Sequence, residues 1–317
     1  MTDATPQPQP ARSVGKVVEI GAPVDVVWAA ITTPEGLRNF YCDWAEVTPG
    51  AGGTFQIGWH GFGGLPVATI EAWEPGARLR IAYPAPPGES VTTAEEWTLR
   101  AEGDHTVVRL VYEGFGEGDD WDDFYDGFDA TSALVVDLLA AWLGPAGGAP
   151  LAKARVDVPV AGDRATAWRL ALGPDLGPGA AVGEGPTPVA PGTPVVVTLP
   201  GGDPLGGTAV FVAPGREASV RLDGDAGRFV LVTRPGPNAS TTRVLVEHYA
   251  WGIDDPTHAA NQARLDAAAD ALGHREPGTT AARSAAGVPG TRWPRASAAA
   301  SWRAWLAGWV GPSMPQA

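Results

Sequence analysis

The chain has 317 residues, a length that predicts about two domains, and 44% of its residues are apolar, enough for a hydrophobic core in each. Its formal charge of −14 argues against general nucleic-acid binding, because contacts to phosphates require a basic surface. The one cysteine, Cys42, excludes an internal disulfide bond, and no apolar run reaches the ~18 residues of a membrane-spanning helix. We therefore expect an acidic, cytoplasmic protein with no transmembrane segment.

The first part of the chain alternates between segments typical of strands and of helices. Residues 1–13 contain several prolines and no apolar signal region, and we interpret them as a flexible leader. Alternating or β-branched runs then predict six strands, at residues 14–20, 53–60, 66–73, 78–83, 92–99 and 106–112. Apolar residues at helical spacing predict a short helix at 23–31 and a longer one at 130–143. This order indicates an α+β domain in which a curved antiparallel sheet surrounds the final helix.

Seven carboxylates crowd the span 117–129, just before the longer predicted helix. A calcium loop would need oxygen ligands where Trp121, Phe124 and Tyr125 stand, and an acid/base site would need two carboxylates held in a pocket. We favour a third interpretation, in which the aspartates stabilise the positive end of the helix dipole. Trp121, Phe124 and Phe128 then form an apolar face that enters the open end of the barrel-like curved sheet. No metal ion and no cofactor is predicted.

A second unit repeats the pattern of the first. The segment that opens at Lys16 is similar to the one that opens at Lys153, each with a β-branched run, a turn and a helix centred on a tryptophan. The segment from Gly63 is similar to the one from Gly206, and the segment from His105 is similar to the one from Thr241. These matches occur in the same order at a spacing of ~140 residues, which indicates a tandem duplication. The predicted divisions are a first domain at 14–144, a linker at 145–152 and a second, diverged domain at 153–273.

The end of the chain, residues 274–317, is a third region rich in Ala, Gly and Pro. Within it, Trp302, Trp305 and Trp309 lie on one face of a short predicted amphipathic helix, and such a face must be buried. We expect this tail helix to dock on the protein's own domains or on a protein partner. A membrane-interface anchor is a weaker alternative, since only Arg303 lies within the helix to attract anionic lipid; a disordered tail is another.

The first domain carries several motifs in a recognisable order. Ala22-Pro23 and Val27-Trp28 open a helix, a Thr-Pro-Glu-x-Leu turn follows at 33–37, Gly-Gly-x-Phe opens a strand at 52–55, and E-P-x-x-R-L forms a turn at 74–79. Together these motifs resemble the SRPBCC, or START-like, superfamily, in the branch of heat-shock-protein-90 ATPase activator homologues. The resemblance implies two tandem helix-grip domains, the second a diverged copy, and this superfamily commonly has a cavity between sheet and helix.

Aromatic residues are abundant in the first domain, and aromatic walls with a few polar groups are typical of small-molecule sites. A filled core is the alternative to such a cavity. The candidate ligand-binding residues are Trp44, Phe55, Trp59, His60, Trp73, Tyr83, Trp97, Tyr112, Trp121, Phe124 and Phe128. No nucleophile elbow, phosphate loop or dinucleotide motif occurs, so no catalytic residue is predicted.

Three functions follow from the resemblance and the aromatic residues. The favoured one is non-enzymatic binding of a small hydrophobic or aromatic ligand in the first domain. The second is an aromatase/cyclase-type enzyme acting on a polyketide-like substrate, with His60, Tyr83 or Tyr112 as its polar groups. The third is regulation of a chaperone (heat-shock-protein-90) ATPase. The second function requires at least two polar side chains to converge inside the first domain.

Overall fold

The computed structural model describes most of both units. The described residues are 12–60, 63–84, 92–116, 119–172, 189–198, 204–213, 215–224, 227–236, 238 and 240–272. The predicted tail at 274–317, with its tryptophan-containing helix, lies outside the described residues, and so does the predicted leader up to residue 11.

The first unit is built on one antiparallel sheet of eight strands. Its strands are β1 (Arg12–Ile20), β2 (Trp44–Val47), β3 (Thr54–Trp59), β4 (Gly63–Gly64), β5 (Ala68–Glu74), β6 (Arg78–Ala82), β7 (Ala94–Glu102) and β8 (His105–Phe115). Their order in space is β1-β8-β7-β6-β5-β3-β2, with β4 paired to β3. The hairpin between β7 and β8 turns through Gly103, whose φ of 65° suits glycine. The six predicted strands all occur, within a few residues of their predicted ends.

Two short helices and one long helix complete the first unit: α1 (Val24–Thr32), α2 (Pro34–Arg38) and α3 (Asp119–Leu143). Thr33 caps α2, because its hydroxyl oxygen accepts a hydrogen bond from the backbone N–H of Gly36 at 3.1 Å. Gly36 lies directly against α1, where a Cβ atom would come within 2.4 Å of the Ala30 carbonyl oxygen. Glycine is therefore required for the close approach of α1 and α2.

Gly36→Ala is expected to lower the free energy of unfolding by about 1–3 kcal/mol, because the added methyl group overlaps backbone that cannot move independently. Urea denaturation followed by circular dichroism measures the change. Gly21→Ala is the matched control, since a Cβ at Gly21 meets nothing within 4 Å. Equal stability of the two variants would contradict the packing argument.

The long helix α3 begins at Asp119, not near residue 130 as the sequence predicted. The reason is that one stripe continues through the acidic span at three- and four-residue spacing, from Trp121 through Tyr125 and Phe128 to Val135 and Leu139. Phe128 packs edge-on against Tyr112 of the sheet with ring centroids 4.7 Å apart. The aspartates thus lie within the first turns of the helix instead of preceding it.

The second unit has the same arrangement with fewer strands. Its sheet contains β9 (Leu151–Ala161), β10 (Pro194–Thr198), β11 (Pro204–Ala213), β12 (Glu217–Leu222), β13 (Arg228–Pro235) and β14 (Thr241–Trp251), and its helices are α4 (Arg164–Leu172) and α5 (Asp255–Ala271). The strand order β9-β14-β13-β12-β11-β10 corresponds to β1-β8-β7-β6-β5-β3 of the first sheet. The prediction of an α+β fold with two helix-grip units is confirmed. Among the described helices, none has the length and apolar character needed to cross a membrane.

The two units pack through α3. Val135, Val136, Leu138 and Leu139 are all buried, because α3 has contacts on two sides: its own sheet, and the second unit, whose Val230, Tyr249 and Trp251 belong to the same apolar cluster. The second contact is with the outer face of the second sheet, where Arg228 donates to Asp137 of α3 with one N···O distance of 3.2 Å. That sheet's opposite face carries the second unit's own core, which includes the buried Trp168 of α4 and Leu265 of α5. Helix α3 is therefore enclosed between two sheets.

Candidate functional site

The two faces of the first sheet differ in chemistry. The outer face carries charged pairs, such as Arg80 with Glu71 at 2.8 Å and with Glu113 at 2.6 Å. The inner face, toward α3, carries buried apolar residues at alternate positions, as period-two strands require. One residue breaks this division, because Glu95 of β7 lies on the inner face.

Glu95 is 1% exposed and takes part in two hydrogen bonds inside the core. The hydroxyl of Tyr83 donates to Glu95 Oε2 at 3.2 Å, and the indole N–H of Trp97 donates to Oε1 at 2.6 Å. The strand register places Glu95 directly opposite Tyr112 of β8 and Ile81 of β6. Among the described residues, no Lys or Arg forms a hydrogen bond or ion pair with this carboxyl group.

Two further tyrosines extend the polar region. The hydroxyls of Tyr41 and Tyr112 are 2.9 Å apart, and both side chains are buried. The Tyr41 ring also packs edge-on against Trp59, with centroids 5.7 Å apart, and the Trp59 indole N–H donates to the Tyr41 carbonyl oxygen at 2.9 Å. We call Glu95, Tyr41, Tyr83, Trp97 and Tyr112 the Glu95 cluster.

Burial governs the ionisation of this cluster. It raises the pKa of Glu95 to about 7, against the opposing effect of the hydrogen bonds from Trp97 and Tyr83. Burial, followed by the negative charge of Glu95, also raises the pKa of Tyr41, Tyr83 and Tyr112 well above the ordinary value. Near neutral pH the carboxyl group therefore exists in both forms, while the three phenols keep their protons. The cluster can donate, accept or transfer a proton.

The structure brings eight of the predicted ligand-binding residues into or against the core of the first unit. These are Phe55, Trp59, Trp73, Tyr83, Trp97, Tyr112, Trp121 and Phe128. Of the three polar groups considered for catalysis, Tyr83 and Tyr112 converge near Glu95. His60 is half-buried at the end of β3, where its backbone N–H donates to Asp43 Oδ2 at 2.7 Å.

Trp73 and Trp121 are half-buried against this core, whereas Trp44 is not part of it. Trp44 lies on the outer face, opposite Gly58, where a Cβ on Gly58 would come within 2.3 Å of the Trp44 ring. Trp73 packs edge-on against Trp28 of α1 at a centroid distance of 5.2 Å. Trp121 is half-buried beside Gly116. The side chain of Phe124 lies outside the described residues.

Two members of the cluster, Glu95 and Tyr41, were not predicted from the sequence. The alternation Glu95, Trp97, Leu99 contained the signal for Glu95, because residues two apart on a strand share a face. Tyr41 gave no such signal, since it follows α2 and precedes β2 in a segment without a regular period. Its place depends on contacts between parts of the chain that are distant in sequence.

The described residues contain no group of three His, Cys, Asp or Glu side chains able to hold a metal ion. Cys42 is buried beside the cluster, and burial, with a smaller contribution from the charge of Asp43, raises its pKa to about 12. The thiol is therefore protonated at neutral pH and is a poor nucleophile.

Comparisons with known proteins find similarity to the first unit and, for some solved structures, to both units. Residues 21–144 match the family model described as Activator of Hsp90 ATPase homolog 1-like protein. Among solved structures, the chain is similar to protein MLL2253 from Mesorhizobium loti, with 21% identity and a TM-score of 0.38 over 42% of this chain and 96% of that one. None of the curated proteins matches the chain significantly.

Two other solved structures span both units. One is DynU16, a protein in the dynemicin biosynthetic locus, with 18% identity and a TM-score of 0.37 over 82% of this chain and 96% of that one. The other is StfQ, a di-domain ARO/CYC from the steffimycin biosynthetic pathway, with 15% identity and a TM-score of 0.36 over 82% of this chain and 95% of that one. The family match covers the unit that contains the Glu95 cluster.

Proposed function

We propose that the first unit, whose residues 21–144 match the family model described as Activator of Hsp90 ATPase homolog 1-like protein, binds a small, largely apolar aromatic molecule against the inner face of its sheet. The Glu95 cluster supplies the polar contacts, and the surrounding core side chains supply the apolar ones. Binding needs no covalent chemistry.

The observation that carries the proposal is the buried carboxyl group of Glu95. This carboxyl group lies in an apolar interior and has no cationic partner among the described residues, an arrangement that destabilises the folded state at neutral pH. Groups with such perturbed pKa values are concentrated at functional sites, where a ligand makes use of them. A structural role would be served as well by glutamine, which fills the same volume and hydrogen-bonds to Tyr83 and Trp97 without a charge.

The arrangement of the cluster also indicates the class of ligand. Tyr83, Tyr112 and Glu95 present hydroxyl and carboxyl groups close together, and aromatic rings and aliphatic side chains surround them. A site with these properties favours an aromatic ring system that carries a hydroxyl or carbonyl oxygen. A fully apolar molecule would offer no hydrogen bonds to the cluster's hydroxyl and carboxyl groups, and leaving buried polar groups unsatisfied is unfavourable.

Binding of 2-naphthol to the full chain is expected to be detectable by calorimetry, and 2-methoxynaphthalene, which cannot donate a hydrogen bond, is expected to bind about fivefold or more weakly. Glu95→Gln should reduce this preference for the hydroxyl group. Glu96→Gln is the matched control, because Glu96 is the next residue along β7 and pairs with Arg78 on the outer face at 2.8 Å. Equal affinities for both probes, or equal effects of both variants, would contradict the proposed site.

A second candidate function, an aromatase/cyclase-type enzyme, is favoured by one observation. A carboxyl group with a pKa of about 7 beside protonated phenols suits general acid–base catalysis. As the carboxylate, Glu95 would remove a proton from a carbon between two carbonyl groups, while a tyrosine hydroxyl hydrogen-bonds the enolate oxygen. The enolate carbon would then attack a second carbonyl carbon of the same substrate molecule. The oxygen of that second carbonyl group would take up the proton that Glu95 had removed.

Mass spectrometry of the chain incubated with a short poly-β-ketone thioester tests this candidate. Ring closure with loss of water, abolished in Glu95→Gln and retained in Glu96→Gln, would support it. An unchanged substrate would leave binding as the function. Regulation of a chaperone ATPase, the third function, is supported only by the description of the matching family.

A further inference from the structure

The second unit contacts the first unit at both ends of the segment that carries Tyr41. At one end, the backbone N–H of Leu151 donates to Asn39 Oδ1 at 3.1 Å, and the indole N–H of Trp251 donates to the Asn39 carbonyl oxygen at 2.9 Å. At the other end, Lys153 Nζ and Arg155 Nη1 both donate to the Asp43 carboxylate, the latter at 3.1 Å. We call residues 39–43 the Tyr41 segment.

The Tyr41 segment belongs to no helix or strand, because α2 ends at Arg38 and β2 begins at Trp44. The first unit holds it through backbone bonds such as Tyr41 N–H to the Leu37 oxygen at 2.8 Å and Asp43 N–H to the Gly58 oxygen at 2.9 Å, and through the buried side chain of Phe40. The second unit adds side-chain contacts at both ends of the segment. Between those ends, the Tyr41 hydroxyl forms a hydrogen bond with the Tyr112 hydroxyl of the Glu95 cluster.

The charged end of this contact is buried and close to neutral overall. The side chains of Asp43 and Lys153 are 2% and 5% exposed, and Glu247 lies 3.6 Å from both Lys153 and Arg155. Two carboxylates thus face two cations, and the hydroxyl of Tyr249 donates to Glu247 at 2.9 Å. Burial alone would raise the pKa of Asp43, but Lys153 and Arg155 outweigh that effect and lower it. Displacing Asp43 would remove a carboxylate partner from the buried Lys153 and from the half-buried Arg155, which is strongly unfavourable.

We propose that the second unit positions Tyr41 in the ligand site of the first unit, with Lys153, Arg155 and Trp251 as the positioning residues. The role in ligand binding rests on the function proposed above, whereas the position of Tyr41 is measurable without any ligand. The second unit then contributes to the site without touching the ligand.

The test follows the tyrosine signals of the full chain by NMR after labelling the Cζ atoms with ¹³C. The chain has 5 tyrosines, so each signal can be assigned by a Tyr→Phe variant. Lys153→Met and the milder Trp251→Phe are expected to shift the Tyr41 signal and to weaken 2-naphthol binding about fivefold, the effect of losing one hydrogen bond. Arg228→Met is the control, because it removes a buried ion pair between the units at Asp137 of α3, two strands away from Lys153 in the second sheet.

Each outcome decides the proposal. A Tyr41 signal that stays unchanged in Lys153→Met and Trp251→Phe overturns it, and so does one that shifts equally in Arg228→Met, which would indicate general loosening of the two units. If Lys153→Met does not fold, Trp251→Phe carries the test alone. A shifted Tyr41 signal with unchanged 2-naphthol affinity overturns the role in ligand binding. If wild-type protein does not bind 2-naphthol but Tyr41 shifts only in the two test variants, the positioning stands and the proposed ligand class fails.

Discussion

Asp43→Ala is expected to lower the free energy of unfolding by about 3–5 kcal/mol, the usual cost of removing one partner of a buried ion pair. The Asp43 carboxylate accepts from Lys153, from Arg155 and from the backbone N–H of His60. Without it, the buried Lys153 and the half-buried Arg155 each lose a carboxylate partner, and the backbone N–H of His60 loses its acceptor. Urea denaturation at pH 7, followed by tryptophan fluorescence, measures the loss.

The control for this variant is Asp129→Ala. Asp129 also pairs with a lysine, Lys16, at 2.7 Å, but its side chain is 52% exposed. Water and salt screen an exposed pair of this kind, which is worth about 0–1 kcal/mol. The two aspartates thus differ mainly in burial. If Asp43→Ala lost no more unfolding free energy than Asp129→Ala, the contact between the units would add little to stability.

Glu95→Gln is expected to stabilise the protein at pH 8 by about 3 kcal/mol relative to wild type, the free energy that corresponds to a pKa raised from 4.5 to about 7. In the unfolded chain Glu95 ionises around pH 4.5, whereas in the folded protein it keeps its proton until about pH 7. Wild-type stability therefore falls between these two values as the pH rises and is then constant. Glutamine has no proton to lose, so the difference between the two proteins should vanish near pH 4.

Thermal unfolding of wild type, Glu95→Gln and Glu96→Gln from pH 4 to pH 8 tests this expectation. As the pH rises, the unfolding temperature of Glu95→Gln should increasingly exceed that of wild type. The unfolding temperature of Glu96→Gln should show no such gain over wild type. A Glu95→Gln protein that is less stable than wild type at pH 8 would mean that the charged carboxylate is compensated in the folded state. No ligand would then be needed to explain why position 95 carries a glutamate.

Six strands and the first short helix of the first unit were predictable because their signals are local. Alternation placed Phe55 and Ile57 on a buried face, and Pro23 marked the start of a short helix. The beginning of α3 was missed because the aspartates were interpreted as preceding the helix. Its aromatic stripe, read through Trp121 and Tyr125, already had helical spacing.

The candidate site was predictable only in part, and the reasons are again physical. Aromatic residues on one strand face, such as Tyr83 and Trp97, can be assigned to a core from alternation alone. Trp44 could not be assigned, because the face it occupies depends on its pairing with Gly58 in another strand. The contact of Asp43 with Lys153 joins residues more than a hundred positions apart. No local period records such a pairing, and a rule that carboxylates are exposed would have placed Glu95 in solvent.

The enclosure of α3 between two sheets has a consequence for biosynthesis. When the ribosome has completed residues 12–143, the helix can pack on its own sheet, but the strands that cover its other side, such as β13 and β14, have not yet been made. Until they are, side chains such as Val136 that are buried in the finished protein lack part of their cover. The nascent first half therefore passes through an interval in which it is prone to self-association, and that interval ends only with translation of the second half.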